Sequence, residues 1–509
     1  MERTKPTWIL IQNLYGFIIG YVTYFMIFRH AGVTAFGIFS FSLSFGLLFS
    51  FISDLGINTA HVRMIAAGGD KNEYNNALLF MKLILTAIYI LVILTSVFIW
   101  TNVLHHGFES KYEYLSILVL IPYFISLPYV QANRAFFTGT MEAAKMSLPA
   151  IIESTVRLIC ILILIRFNVL NIKNLPEMAL LIALSYSLSY IAYAVSGFVL
   201  GRPWNVKRPK RHIMKEYLRY SYPLMAVSVL AAIGTNIAQI ILQLAVGSFG
   251  VGGYSGDLRI IAIVTSLTTS VTVLILPILT THTGSKEEYS RTVELMMKYL
   301  VIFVTPITVF AIIFASPILN LWSSQLIPFS FSLKILLLGS WFSTISIPLW
   351  THFNATGETK VSGVLNIISY LVIIILDIIL IPKLLFGVRF MGYGVNGAAY
   401  ASLISGIILL TSSFAVLRRK IKIGVSVDSI KGILISIVTG IPFYLGFEHR
   451  VRMPSYDLLA LFVAYTLIYT LFLLIFRALS REEMTDIISM IDPRKLIKYA
   501  LEELKKPSQ

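Results

Sequence analysis

The chain has 509 residues, 57% of them hydrophobic and only 13% charged, with a mean hydropathy of +0.81. A soluble domain carries about 25% charged and about 45–50% apolar residues, so these proportions exclude a soluble fold and define an integral membrane protein. The formal charge of +16 comes from 41 Lys and Arg against 25 Asp and Glu, an excess that in a polytopic protein belongs to cytoplasmic loops rather than to nucleic-acid binding.

Apolar runs of about 20 residues recur along the chain, each long enough to cross about 30 Å of hydrocarbon as a helix. Barrel strands, which alternate over about 10 residues, are excluded. The first run, Trp8 to Phe28, is too long for a signal-peptide core and ends at Arg29 and His30 without a small-residue cleavage pattern, so it is the first span. Spans follow at 36–59, 77–100, 115–136, 147–166 and 177–200. Beyond a basic connection come 221–245, 254–281, 297–321, 331–353, 361–382 and 394–417, then a second basic connection and 432–447 and 457–476.

The expected fold is therefore all-α integral membrane with fourteen transmembrane helices. Residues 1–200 form an N-lobe, 201–220 a basic cytoplasmic loop, 221–417 a C-lobe, 418–478 an extra helix pair and 479–509 a cytoplasmic tail. With the N-terminus in the cytoplasm, Lys and Arg favour the inner side about threefold, and an even number of spans keeps the basic tail inside.

The tail opens on a capping box, Ser480 to Glu483, followed by the apolar stripe Met484, Ile487, Ile488 and Ile491. After Pro493 the apolar residues Leu496, Ile497, Leu501 and Leu504 oppose the bases Arg494, Lys495, Lys498 and Lys505. Such an amphipathic segment lies either on the anionic inner leaflet or on its own inner loops.

Several chemistries are excluded. Cys160 stands alone inside an apolar run, so no disulfide or cysteine metal cluster forms. There is no phosphate-binding P-loop, and the glycine-rich stretch 247–253 joins two spans rather than a strand and a helix. His105 and His106 lack metal-ligand spacing, and no nucleophile elbow is present. An enzyme is not expected.

An internal repeat is visible. Gly32, Gly37, Phe39 and Ser40 between spans 1 and 2 match Gly247, Gly252, Tyr254 and Ser255 between spans 7 and 8, at an offset of 215 residues. Thr138 and Gly139 echo Thr356 and Gly357 at 218. Each half holds six spans, so the two lobes keep the same orientation, and a cleft between them can open to either side.

The segments Phe36–Ser40, Ser53–Arg63, Gly252–Ser255 and Gly392–Ala401 resemble the recurring signatures of polysaccharide flippases, within the multidrug, oligosaccharidyl-lipid and polysaccharide exporter superfamily. The resemblance runs through nearly the whole chain in span order. It implies transport of polyprenyl-linked sugars across the cytoplasmic membrane, and the related lipid II flippases imply that spans 13 and 14 form a groove for the lipid tail. It also implies cavity arginines at the first and eighth helices, for which Arg29 and Arg259 are the candidates. Where many relatives carry an Asp in the seventh helix, this chain has Asn236 and Gln239 instead.

An ionisable group at mid-bilayer costs about 2.5–3.5 kcal/mol, so each calls for a partner or water. Glu153 and Arg157 stand one turn apart in span 5, either as a buried pair that fixes packing or as a cavity wall that opens to substrate. Asp377 in span 11 has no base within a turn, which suits either ion coupling or capping of a neighbouring helix. Asp257 stands beside Arg259 and can partly neutralise it; Arg29 is either a ligand or an interfacial arginine. Lys82 is expected to snorkel inward, and Asp54 and Arg63 are either an inner gate or ordinary loop charges. Asn236, Gln239 and Gln243 either bond sugar hydroxyls or join helices.

The resulting expectation is a flippase that moves polyprenyl-(pyro)phosphate-linked oligosaccharide from the cytoplasmic to the outer leaflet by alternating access. Substrate contacts fall to Arg29, Arg157, Arg259, Glu153, Asn236 and Gln239, ion coupling to Asp377 and Glu153, and a gate to Asp54 and Arg63. No resident cofactor or metal is expected, with Na⁺ or H⁺ coupling left open. The partners are the lipid-linked glycan, membrane lipids and glycan-assembly proteins, with no nucleic acid and a monomeric state. The alternatives are a cation-coupled multidrug exporter of the same superfamily and a membrane assembly factor that transports nothing.

Overall fold

The computed structural model describes residues 5–102, 108–167, 174–201, 209–280, 286–355, 358–385, 387–421, 423–447 and 450–479. The amphipathic tail from Ser480 onward, the His105 and His106 pair, and the Thr356 and Gly357 half of the second echo lie outside these residues.

Hydrocarbon offers the backbone no hydrogen bonds, so a spanning chain must satisfy its own amides and carbonyls. This chain does so with helices: α1 (Lys5–His30), α2 (Gly32–Leu47), α3 (Phe51–Asp54), α4 (Ile57–Ala66), α5 (Lys71–Asn102), α6 (Lys111–Val119), α7 (Ile121–Gly139), α8 (Ala143–Ile161) and α9 (Met178–Gly201). They continue as α10 (Arg211–Thr280), α11 (Lys286–Ile313), α12 (Ala315–Trp322), α13 (Ser330–Ile345), α14 (Ile347–Ala355) and α15 (Thr359–Leu380), then α16 (Val395–Arg418), α17 (Val427–Phe447) and α18 (Ser455–Ile475). A short antiparallel hairpin pairs Leu384–Leu385 with Val388–Arg389.

Among the described residues, 11 helical runs are long and apolar enough to cross a membrane, or up to 13 when each of two bent pairs counts as one span. One run, α10, is broken at Gly247 (φ 72°, ψ −177°), where the sequence places the join between spans 7 and 8. The protein is a multi-pass membrane protein. Its described residues fall into two compact units, one within 14–255 and 374–397 and the other within 5–13, 256–373 and 398–479.

In the first unit, helices break and neighbours supply the missing bonds. The chain bends by 41° between α2 and α3, and a second break follows between α3 and α4 at Leu55 (φ 45°) and Gly56 (φ 79°), both left-handed. Close to that bend the Ser53 carbonyl accepts from Lys82 Nζ at 2.7 Å, and the Gly46 carbonyl accepts from the Tyr89 hydroxyl at 3.0 Å. At the break between α6 and α7, Ser187 Oγ donates to the Val119 carbonyl at 2.7 Å. His61 on α4 stacks on Tyr217 at the start of α10, with Nδ1 2.6 Å from the hydroxyl.

The repeated glycines meet. Gly32 (φ 82°) and Gly247 occupy the left-handed region at the two corresponding turns, where a side chain is strained. A Cβ on Gly37 would overlap the Ser248 carbonyl and come within 2.9 Å of the Gly252 amide. A Cβ on Gly252 would overlap the Val33 carbonyl, whose carbon lies at 2.9 Å. Val33 and Ser248 are themselves related by the offset of 215, so the contact is reciprocal, and the two halves of the repeat pack backbone to backbone across it.

In the second unit, Pro306 in α11 cannot donate to the carbonyl four residues back, at Ile302. Tyr469 on α18 does so instead, its hydroxyl 2.9 Å from that oxygen. Lys298 on α11 pairs with Asp428 on α17 at 3.1 Å, and Tyr465 on α18 bonds Ser436 on α17 at 2.8 Å. Phe310 and Phe314 pack with Phe443 and Tyr465, so α11, α17 and α18 share one apolar core.

Candidate functional site

The ion pair expected one turn apart on α8 is formed, with Arg157 Nη1 3.0 Å from Glu153 Oε1 and the two side chains only 14% and 8% exposed. Ser189 Oγ on α9 donates to the same carboxylate at 3.2 Å, and Ser154 Oγ donates to its second oxygen at 3.3 Å. The Arg157 guanidinium lies 5.1 Å from the centre of the Tyr186 ring, and the Tyr186 hydroxyl is 3.1 Å from that of Tyr24 on α1. Further along α9, Tyr190 packs on Tyr123 of α7 at 4.0 Å between ring centres. Three helices besides α8 thus surround the pair with hydroxyls and aromatic faces, a setting that suits a charged and hydroxylated ligand as well as the pair itself.

Sequence reading missed these tyrosines. Tyr186, Tyr190 and Tyr193 follow helical spacing in the sequence of α9, and that polar-tipped stripe in an otherwise apolar span was the available signal.

The other expected residues are distributed. Arg29 is exposed at the end of α1, its guanidinium 5.7 Å from the Phe25 ring. Asn236 bonds its own helix, donating to the Ala232 carbonyl at 2.8 Å. Gln239 is buried, and among the described residues its Oε1 accepts no hydrogen bond. Asp377 is 1% exposed, and neither carboxylate oxygen has a hydrogen-bond partner among the described residues. Arg259 belongs to the second unit and is half-buried. Its neighbour Asp257 is fully buried and accepts from Ser332 Oγ at 2.5 Å.

One expectation is corrected. Lys82 does not snorkel: it is fully buried, because its ammonium binds the Ser53 carbonyl and lies 3.6 Å from Asp54. Of the two residues expected as an inner gate or as loop charges, Asp54 lies 3.6 Å from Lys82, and the Arg63 guanidinium lies 4.7 Å from the Tyr220 ring. Lys82→Ala is expected to destabilise the protein by about 1–3 kcal/mol, since it removes the donor of the Ser53 carbonyl while half-buried Asp54 can still reach water. Thermal unfolding in detergent checks this, and an unchanged midpoint would contradict it.

A second polar cluster was not expected. Glu109 Oε2 accepts from the Ser248 amide at 2.8 Å, from Ser248 Oγ at 2.9 Å and from Gln243 Nε2 at 2.6 Å. Buried Glu113 accepts from Gln243 Nε2 at 3.0 Å. A carboxylate at the start of the helix that follows Gly247 complements the positive end of its dipole. Two acids four residues apart at the opening of span 4 were the sequence signal, easily taken for solvated loop charges.

These features define a class: a polytopic membrane protein with the fold of the superfamily that contains the lipid II flippase and the multidrug transporters. The structure of "Lipid II flippase MurJ, inward closed conformation" superposes with a TM-score of 0.70 at 18% identity, covering 92% of this chain and 98% of that one. A multidrug resistance MATE family transporter of the MOP superfamily, in its inward-facing conformation, gives 0.58 at 17%, covering 80% and 94%.

Residues 4–283 match the model of the family described as polysaccharide biosynthesis protein, and the chain belongs to that family. An uncharacterized membrane protein of Methanocaldococcus jannaschii is 24% identical over 436 residues, covering 81% of this chain and 97% of the relative.

Proposed function

We propose that this protein is a flippase for polyprenyl-(pyro)phosphate-linked oligosaccharide, moving it from the cytoplasmic to the outer leaflet of the plasma membrane by alternating access. The observation that carries the reading is the Glu153–Arg157 pair at 3.0 Å, set among tyrosine and serine hydroxyls in a chain of the polysaccharide biosynthesis family. A phosphate crossing hydrocarbon needs replacement hydrogen bonds, and a guanidinium fork supplies them. Arg157 engages the head-group phosphate, with Arg29 and Arg259 as further cations, while Asn236 and Gln239 meet sugar hydroxyls. Asp377 and Glu153 are the groups for H⁺ or Na⁺ coupling. Outward passage of negative charge across an inside-negative potential releases about 2.3 kcal/mol per charge per 100 mV, which favours this direction.

The test is a flipping assay in vesicles containing the full chain and a fluorescent polyprenyl-pyrophosphate sugar, read by a membrane-impermeant quencher. Wild type is expected to expose the probe faster than empty vesicles, and Arg259→Ala to slow exposure about tenfold. Equal rates in wild-type and empty vesicles would refute the assignment.

A further inference from the structure

At the ends of α4 and α7 in the first unit, a groove of about 520 Å³ opens to the surroundings. Asn58, Thr59 and Arg63 line it from α4, and Gln131, Arg134 and Thr138 from α7. Thr59 and Arg63 stand four residues apart on α4, and Gln131, Arg134 and Thr138 stand three and four apart on α7, so each helix turns a polar face to the groove. Arg63 and Arg134 are exposed, and among the described residues neither pairs with a carboxylate. The Asp54 carboxylate is committed elsewhere, to Lys82 at 3.6 Å and to the Asn58 amide at 3.3 Å.

The groove is partly set in advance. The Arg63 guanidinium rests 4.7 Å from the centre of the Tyr220 ring, and the side chains of Asn58 and Gln131 approach to 3.4 Å across the gap. Val62 and Ala135 add an apolar surface beside these donors. A cavity with two uncompensated guanidinium forks, amides, hydroxyls and an apolar wall matches an amphiphile whose head is an anionic phosphate. Its position fits that ligand, because both helices end within a turn of the groove, at Ala66 and Gly139, and the end of a span is where a lipid head group lies.

We infer that this groove is a binding site for the phosphate or pyrophosphate ester of an isoprenoid amphiphile, which it captures before translocation. The site shares no residue with the Glu153–Arg157 cluster, and the inference rests on the flippase reading for the identity of the amphiphile. Both arginines act as ligands of phosphate oxygens. Arg63 is held ready by Tyr220, and Arg134 closes the opposite wall.

The test uses the full chain in detergent and isothermal calorimetry with farnesyl pyrophosphate, inorganic pyrophosphate and farnesol. Arg63→Gln and Arg134→Gln are each expected to weaken farnesyl pyrophosphate binding about tenfold, and the double variant by more than either alone. Both side chains are exposed, so unfolding midpoints should match wild type, and Arg63→Lys should keep part of the affinity by retaining the charge. Competition by inorganic pyrophosphate would place recognition in the anion alone, whereas its failure would show that the isoprenoid is also read; either supports the site if the arginines are required. Binding by the double variant equal to wild type, or farnesol binding as tightly as its pyrophosphate, would overturn it. The flipping assay tests the flippase reading separately, since equilibrium binding requires no transport.

Discussion

Alanine at Gly37 or Gly252 is expected to cost about 3 kcal/mol or more of stability and to reduce flipping at least about 100-fold. The added methyl at Gly37 meets the Ser248 carbonyl and the Gly252 amide, and at Gly252 it meets the Val33 carbonyl. Overpacking of a core costs about 1–3 kcal/mol when side chains can yield, and here the obstacle on both sides is backbone, which cannot rotate away. Gly16→Ala is the matched control, because nothing lies within 4 Å of the methyl it would add. In that open position alanine should be neutral or stabilising by up to about 1 kcal/mol. Thermal unfolding followed by tryptophan fluorescence, with the vesicle assay alongside, decides the matter. Wild-type melting and wild-type flipping in Gly37→Ala would show that the helices separate without consequence.

Removing either member of the Glu153–Arg157 pair is expected to destabilise the protein by about 3–5 kcal/mol, because the surviving charge is left largely buried. The informative variant is the double replacement Glu153→Leu with Arg157→Met. Apolar substitution of a whole buried pair is often neutral or stabilising by about 1–4 kcal/mol, so the double variant should recover the stability that each single loses. If the arginine also receives the substrate's phosphate, flipping stays low after stability returns. Recovery of both would reduce the pair to a packing device and remove Arg157 from the transport pathway.

Much of the fold was legible because hydrocarbon imposes a coarse rule, long apolar runs punctuated by charge, and the described helices follow it. The repeat was legible as an offset between glycines, yet that Gly37 and Gly252 touch each other belongs to tertiary structure alone. Glu153 and Arg157 were readable as a pair because helical spacing fixes their geometry. Lys82 was not legible for the opposite reason: its partner is a carbonyl beside a bend 29 residues away in sequence, and no local pattern announces that. Glu109 escaped notice because an acid in a loop looks solvated until the helix start it caps is known. The phosphate-binding groove joins α4 to α7, and neither helix alone carries enough cationic character to mark it.

The hydroxyl bridge from Tyr469 to the Ile302 carbonyl bears on the order in which the protein is made. Synthesis delivers α11 to the bilayer well before Tyr469 leaves the ribosome, since the two partners are separated by 167 positions. During that interval the oxygen exposed by Pro306 lacks its final donor, so the proline-containing helix gains that bond only once α18 has been inserted. Release of a chain ending ahead of α18 would strand it in that unfinished form, a natural mark for membrane quality control.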